Sequence, residues 1–426
     1  MNDESGPDWR PSTGAGERAV AAVRDRIAET VGTVERTETL PVGTAIERPL
    51  ANPVTARRPL PHYDRAAVDG VAVAAAATRD ASPDRPVEFG LATGETHDAE
   101  GDAVPVDAGD DLPGGTDAVV PAAAVDRDSP ALETVSDTDE RVSVTAPVEP
   151  GANVEPAGSE FEAGETVFES GRRLRPSDPA LCVTVGRTRV EAVQRPAVGI
   201  VPTGDGLVAG DPDPGEAVET NGRTLSALVE RWGGKVTYRD AVETDPHALR
   251  AAVERDLTKD LLVTTGGTGA GSRDRLYDVL ADLGEVHARG VALDPGGTAG
   301  FAVVRERPVV VLPGHPVGCL AAALALAGPA VSRLAGRGPV ETSTTTGRLT
   351  SRIDSERGTE TVVPVAVERA DDELDAAAQT VEPLATPATA TRATVARADG
   401  WVTVAAESAG AAAGETVTVA APERPL

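Results

Sequence analysis

The stretch LLVTTGGTGAGSRDRL, residues 261–276, runs from apolar and β-branched residues through four glycines to an acid, Asp274. A strand that turns through glycine into a helix gathers unpaired N–H groups and the positive end of the helix dipole at one point, which favours an anion. The stretch is not a nucleotide P-loop, because it lacks the Gly-Lys-Ser/Thr ending. Nor is it a dinucleotide fingerprint. Gly267, Gly269 and Gly271 run G-x-G-x-G, and the turn follows the third strand of its unit instead of the first.

Working outward, AVGIVPTG (197–204), KVTYRDAV (235–242) and LLVTTGG (261–267) read as strands. They alternate with helix-like RTLSALVERWGG, PHALRAAVERDL and DRLYDVLADLG. Such alternation means βαβ units and a mostly parallel sheet. Two further turns leave strands of this unit: GIVPTGDGL (199–207), which carries Asp205, and VVVLPGHPVGCL (309–320). Parallel strands bring all three turns to their carboxyl ends, where they can line one crevice. The plainer reading is that glycine merely turns tight corners. In TDPHALRAAV, Asp245 or Thr244 caps a helix with Pro246 in its first turn.

Elsewhere the pattern changes. ERAVAAVRDRIAETVG (17–32) has apolar residues three and four apart and reads as an amphipathic helix. From Pro41 to about Ala146, short Val and Ala runs broken by Pro, Gly and Asp suggest strands and turns. RPSDPALCVTVG predicts a short helix, and beyond Gly336 the runs GRLTSRI, ETVVPVAVE and WVTVAAE predict a small β-domain. VGCLAAALALAGPAV, from Val317, falls short of the ~20 residues a bilayer span needs and reads as a buried helix.

Composition narrows the function classes. The chain has 426 residues, and its formal charge is −28, from 68 acids against 40 bases; Lys235 and Lys259 are the only lysines. A coat this acidic repels phosphate backbones and anionic headgroups, which argues against nucleic-acid and membrane binding. Adaptation to concentrated salt, where the screening length shrinks, accounts for it. Aromatic residues are only 2%, so the cores must be built from small side chains. Cys182 and Cys319 are too few for a disulfide framework. The N-terminus is polar and acidic, without a signal-peptide pattern, and a cytoplasmic location is expected.

TGDGL, ETNG, TDPHALRAA, TTGGTGAG followed by Asp274, and LPGHPVG stand in an order and spacing similar to that of the MoeA-type molybdopterin molybdenumtransferases. PLPHYDRAAVDGVAV (59–73) resembles that family's N-terminal signature, and GANVEPAGSEFEAGETVF (151–168) its Gly-x-Asn-Val segment. The resemblance implies an α/β multidomain chain. A MoaB/Mog-like three-layer α/β domain with a parallel-rich sheet would span 191–336, with an inserted β-rich domain at 61–146. A small α+β domain from segments 1–60 and 147–190 and a C-terminal β-barrel at 337–426 would complete it. It also implies an elongated homodimer. Its activity would be insertion of molybdate into adenylylated molybdopterin with Mg²⁺-dependent loss of AMP.

The resemblance carries over to individual residues. The amides of Gly266 to Gly271 would hold the phosphate-bearing part of the pterin. Asp69, Asp205 and Asp274 match family acids and are the catalytic candidates, with Asp69 presented from the partner subunit. Asp205 and Asp274 are the candidate Mg²⁺ ligands, since a carboxylate beside bound phosphate repels it unless a cation intervenes; surface turns would display two such acids equally well. The substrate-binding set is Thr203, Gly204, Asn221, Gly266, Gly267, Thr268, Gly269, Gly271, Ser272, Pro313, Gly314, His315 and Pro316. Helix capping is the structural alternative for Asn221, and a turn role the alternative for His315.

Several positions depart from the family pattern. Gly206 replaces a glutamate, Gly269 a serine and Ala108 a threonine. Asp294 and Gly297 in LDPGGT replace two lysines. Val68 and Val71 replace Met and Tyr, Glu160 an aspartate, and His315 an Asn or Tyr. Losing two cations beside a polyanion weakens binding. Two functions therefore stand: the transferase, or a noncatalytic pterin-binding paralogue acting as carrier or scaffold. A nucleotide-dependent oxidoreductase or kinase has neither fingerprint complete.

Overall fold

The strand-like runs around the glycine stretch form one six-stranded sheet in the computed structural model, which describes residues 18–92, 98, 100–126, 141–269, 274–340, 342–368 and 379–422. The strand order is Lys235–Tyr238, Ala197–Pro202, Leu261–Thr265, Arg307–Leu312, Gly300–Val304, Glu285–Arg289. The first four are parallel, and the last two add antiparallel at one edge. Alternation at period two divides the side chains between two cores. Val198, Ile200, Leu261, Val263, Val310 and Leu312 join one cluster, which includes residues of helices Val20–Thr30 and Asn221–Arg231. Val201, Leu262, Val309 and Val311 join the other, against helices Pro246–Asp256 and Leu276–Leu283. This is the three-layer arrangement expected from continuous apolar strands, which are buried on both faces.

By compactness the chain divides into two units, Met1–Glu38 with Val193–Leu426, and Thr39–Ala192. Helix Val20–Thr30 belongs to the first, with Val20, Val23 and Ile27 in the α/β core. The sequence division had assigned it to the small domain. Periodicity shows that a helix buries a face, not which partner covers it.

The apolar stretch from Val317 is a core helix, Pro316–Leu334, with 83% of its most apolar window buried. It contains a π-helical turn at Ala323–Ala327. Pro329 has no amide to offer the carbonyl four residues back, that of Ala325. Arg24 Nε donates to that carbonyl instead, at 2.8 Å, so the buried acceptor is satisfied.

In the C-terminal region five strands close into a barrel. Glu360–Glu368 pairs with Thr380–Pro383, then come Ser343–Leu349, Thr416–Ala421 and Gly400–Val404, which returns to Glu360–Glu368. Val363, Val365, Val381, Val402, Val404 and Val419 fill it. Strand Leu293–Asp294 of the α/β region adds parallel to Glu360–Thr361.

The second unit holds another six-stranded sheet, ordered Ala118–Pro121, Gly70–Val73, Asp102–Val106, Val87–Leu91, Arg141–Val144, Val125–Asp126. Phe89 is the large residue of its core, among Val71, Val73, Val120, Val142 and Val144. A separate cluster draws Val42, Leu50 and Val54 from one segment and Phe168, Leu174, Cys182 and Val190 from another. The helix predicted in RPSDPALCVTVG lies at Asp178–Thr184.

Candidate active site

Three turns leave the carboxyl ends of Ala197–Pro202, Leu261–Thr265 and Arg307–Leu312, and backbone bonds stitch them together. Thr203 N–H donates to the Thr265 carbonyl at 2.8 Å, and Gly266 N–H to Leu312 at 3.0 Å. A Cβ placed on Gly314 would lie 3.3 Å from Gly266 Cα, so the second and third turns touch. Gly266 has φ +95° and Gly267 φ +62°. A side chain on Gly266 would meet the Thr203 carbonyl at 2.1 Å. Only glycine satisfies both demands.

This packing corrects one expectation. The Gly266 amide is spent on Leu312, and the Gly204 amide on the Val242 carbonyl at 2.9 Å. Neither can reach an anion. Among the described residues of this turn, the amides of Gly267, Thr268 and Gly269 are engaged by no acceptor and remain candidates for an anion cradle. Gly271 and Ser272 lie outside the described residues.

Asn221 does not cap its helix through its side chain. Its Nδ2 donates to Thr265 Oγ1 and to the Gly314 carbonyl, both at 2.9 Å. Thr265 Oγ1 in turn donates to the buried Pro313 carbonyl at 2.9 Å. The capping work falls to Glu219, whose Oε1 accepts from Gly222 N–H at 2.9 Å and whose Oε2 accepts from Tyr238 OH. Partial desolvation, then the bond to Glu219, pushes the Tyr238 phenol up to about 12, although the residue is 41% exposed. Thr265 and Glu219 were missed in the sequence because each looks like ordinary strand or turn chemistry; only their spatial partners reveal them.

Thr268 Oγ1 meets Thr298 Oγ1 at 2.8 Å, and Tyr277 OH donates to the Thr298 carbonyl at 2.9 Å. LDPGGT therefore touches the glycine turn. His315 is exposed and its carbonyl accepts from Cys319 N–H at 2.8 Å, starting helix Pro316–Ala322. Cys319 is buried, which pushes its thiol up to about 12. Pro316, Asn221 and Cys319 border a cavity of about 250 Å³ that Arg392, from the barrel region, also lines. Arg392 Nη1 donates to Thr220 Oγ1 at 3.1 Å, so a guanidinium stands beside Asn221.

The acids are arranged unequally. A Cβ on Gly269 would lie 2.8 Å from Asp274 Oδ2. Asp274 therefore packs against this glycine, and a serine there would displace the carboxylate as it stands. Asp205 Oδ1 and Oδ2 accept from Thr244 N–H at 2.9 Å and Thr244 Oγ1 at 2.7 Å. Asp205 borders a polar cleft of about 480 Å³ with Glu243, Asp245 and Arg275, the residue after Asp274. Gly206 has φ +79°, a conformation that a glutamate would adopt only under strain. Asp69 belongs to the other unit, where its Oδ1 accepts from Ala108 N–H at 2.7 Å.

Among the described residues no group of three or more His, Cys, Asp or Glu is arranged to hold a metal. Mg²⁺ needs less: it takes one or two carboxylates and keeps several waters. Asp205 and Asp274 carry oxygen donors of that kind.

Three sequence families match the chain in succession. They are described as "MoeA N-terminal region (domain I and II)" over residues 17–186, "Probable molybdopterin binding domain" over 199–333, and "MoeA C-terminal region (domain IV)" over 346–421. A Bacillus subtilis protein named molybdopterin molybdenumtransferase is 30% identical over 298 residues, 66% of this chain and 67% of its own length. A Nostoc protein of the same name is 27% identical over 314 residues, 70% of each chain. A solved structure of the molybdopterin biosynthesis MoeA protein from Pyrococcus horikoshii superposes with a TM-score of 0.79 at 26% identity, covering 96% of this chain and all of that one. The three matches run in family order through both units, and the chain belongs to the MoeA family.

Proposed function

We propose that the chain is a molybdopterin molybdenumtransferase, which inserts molybdate into adenylylated molybdopterin and releases AMP. The observation that carries this reading is the packing of three strand-end turns around Gly266 and Gly267, next to the unengaged amides of Gly267, Thr268 and Gly269, in a chain of the MoeA family. Those amides, fixed by the glycine backbone, would hold the phosphoryl part of the pterin nucleotide. Asn221 would keep the third turn in place while ligand enters. Asp205 and Asp274 would hold Mg²⁺, which when bound neutralises charge on the phosphoryl oxygens. Thr244 orients Asp205 for that task. Asp69 would come from the second subunit of a homodimer in the cytoplasm.

The second reading, a noncatalytic pterin carrier, is favoured by one observation. LDPGGT lies against the glycine turn, and it carries Asp294 and Gly297 at the positions where the resemblance implies lysines. The discriminating experiment incubates the purified chain in concentrated salt with adenylylated molybdopterin, molybdate and Mg²⁺, and follows AMP by chromatography. AMP release that requires molybdate supports the transferase. Tight pterin binding without AMP release would replace it with the carrier.

A further inference from the structure

A cavity of about 640 Å³ lies between helix Val20–Thr30, helix Pro316–Leu334 and the outside of the barrel, and none of its lining residues belongs to the three turns. Its charge runs against the rest of the molecule. In a chain with 68 acids and 40 bases, the charged residues described on its wall are Arg24, Arg333, Arg337 and a single acid, Glu360. Arg333 Nε is anchored on the Val31 carbonyl at 2.6 Å and Arg24 Nε on Ala325 at 2.8 Å. A carbonyl fixes a guanidinium without cancelling its charge. Glu360 Oε1, the acid at hand, stands 3.4 Å from Arg24 Nη2.

The remaining wall is apolar where a barrel exterior is ordinarily polar. Val363, Val402 and Val419 point inward; by alternation Val362, Trp401 and Ala420 face out, where Val362 and Trp401 pack into the α/β core and all three border this cavity. Trp401 is only 4% exposed. Trp232 borders the same space, and its buried Nε1–H has no acceptor among the described residues.

We propose that this cavity binds a small organic anion with an apolar ring body. The charged end would meet the guanidiniums, whose planar forks suit carboxylate, sulfonate or phosphate, and the rings would lie against the half-buried Leu324, Pro329 and Val340, with the tryptophans just behind. The volume falls within the range of small-molecule sites, about 300–1,000 Å³. The site is separate from the pterin crevice and stands whether or not the chain turns over.

The test uses the full-length protein and two dyes of similar shape: 8-anilinonaphthalene-1-sulfonate, an anion, and N-phenyl-1-naphthylamine, which is neutral. Two of the chain's three tryptophans border the cavity, so a bound dye is read by energy transfer from them. We expect one sulfonate per chain. Thr403→Glu, which adds an acid at an exposed rim position, and Arg337→Gln should each weaken it about tenfold, and neutral-dye affinity should stay within about twofold. Melting curves check folding, and either variant alone decides the matter if the other does not fold. Sulfonate binding unchanged in a folded variant, several sites per chain, or equal weakening of both dyes would overturn the proposal. Sulfonate binding lost as protein concentration rises would give the cavity to a second copy of the chain, and would overturn it equally.

Discussion

Asn221 Nδ2 donates to the Gly314 carbonyl at 2.9 Å, and with that bond a helix that follows strand Ala197–Pro202 is tied to the turn after strand Arg307–Leu312. The same nitrogen holds Thr265 Oγ1, at the end of the strand between them. One primary amide thus links three separate stretches of chain, and its two donors are matched by two acceptors. The crevice owes its shape to this bond as much as to the sheet.

Asn221→Ala deletes both bonds and leaves the Gly314 carbonyl to solvent. The expected cost is about 1–2 kcal/mol of stability, measured by denaturant unfolding, and about a tenfold loss of molybdopterin affinity by titration calorimetry. Unchanged affinity would remove Asn221 from the binding site.

Asp205 is held on both oxygens by Thr244. Asp205→Asn keeps the shape and drops the charge, so the Mg²⁺ concentration for half-maximal AMP release should rise about tenfold with little change in melting temperature. A metal requirement that does not move would show that Asp205 is not a ligand.

Gly269→Ala pushes a methyl group to within 2.8 Å of Asp274 Oδ2. Activity should fall as the carboxylate is displaced. In a double-mutant cycle with Asp274→Ala the two effects should couple by about 0.5–3 kcal/mol in the transition-state term. Strict additivity of the two substitutions would mean that Asp274 does not act from its observed position.

Asp294→Lys with Gly297→Lys tests whether cations beside the glycine turn strengthen binding. A Cβ on Gly297 meets nothing closer than the Leu293 carbonyl at 3.4 Å, so the site tolerates the side chain. Pterin affinity should rise about tenfold, as expected for adding charge near a polyanion at low salt. The absence of any gain would show that a cation elsewhere, such as Arg392 beside Asn221, already fills the need.

Tyr238 holds Glu219, and Glu219 holds the start of the helix that presents Asn221. Its folded-state phenol is raised to about 12, by partial desolvation first and then by Glu219. The neutral phenol is therefore favoured by the fold. Its contribution is complete below the unfolded value of about 10 and disappears as pH rises through the folded value. Wild-type stability should fall between about pH 10 and 12, and Tyr238→Phe should be less stable at pH 8 and show a smaller fall in that window. Parallel curves for the two proteins would exclude the coupling.

How legible the site was depended on the kind of residue. Gly266 and Gly267 could be picked from the sequence because a strand ending in consecutive glycines has few uses, and the structure shows positive φ at both. The capping role of Asp245 was legible for a similar reason, since its partner, Ala248, is three residues away. Thr265, Glu219 and Thr244 carried no such mark. Their partners Pro313, Tyr238 and Asp205 are 48, 19 and 39 residues distant.

The sequence by itself determined the layers. Period-two strands buried on both faces, alternating with period-near-four helices, admit few arrangements other than a parallel sheet between helices, and local chemistry set where its turns fall. Tertiary structure decided which groups those turns leave available. It spent the Gly266 amide on Leu312, moved helix Val20–Thr30 into the α/β core, and placed LDPGGT against the glycine turn. Periodicity is a property of neighbours along the chain, whereas a hydrogen-bond partner or a buried face is chosen among residues that only folding brings together.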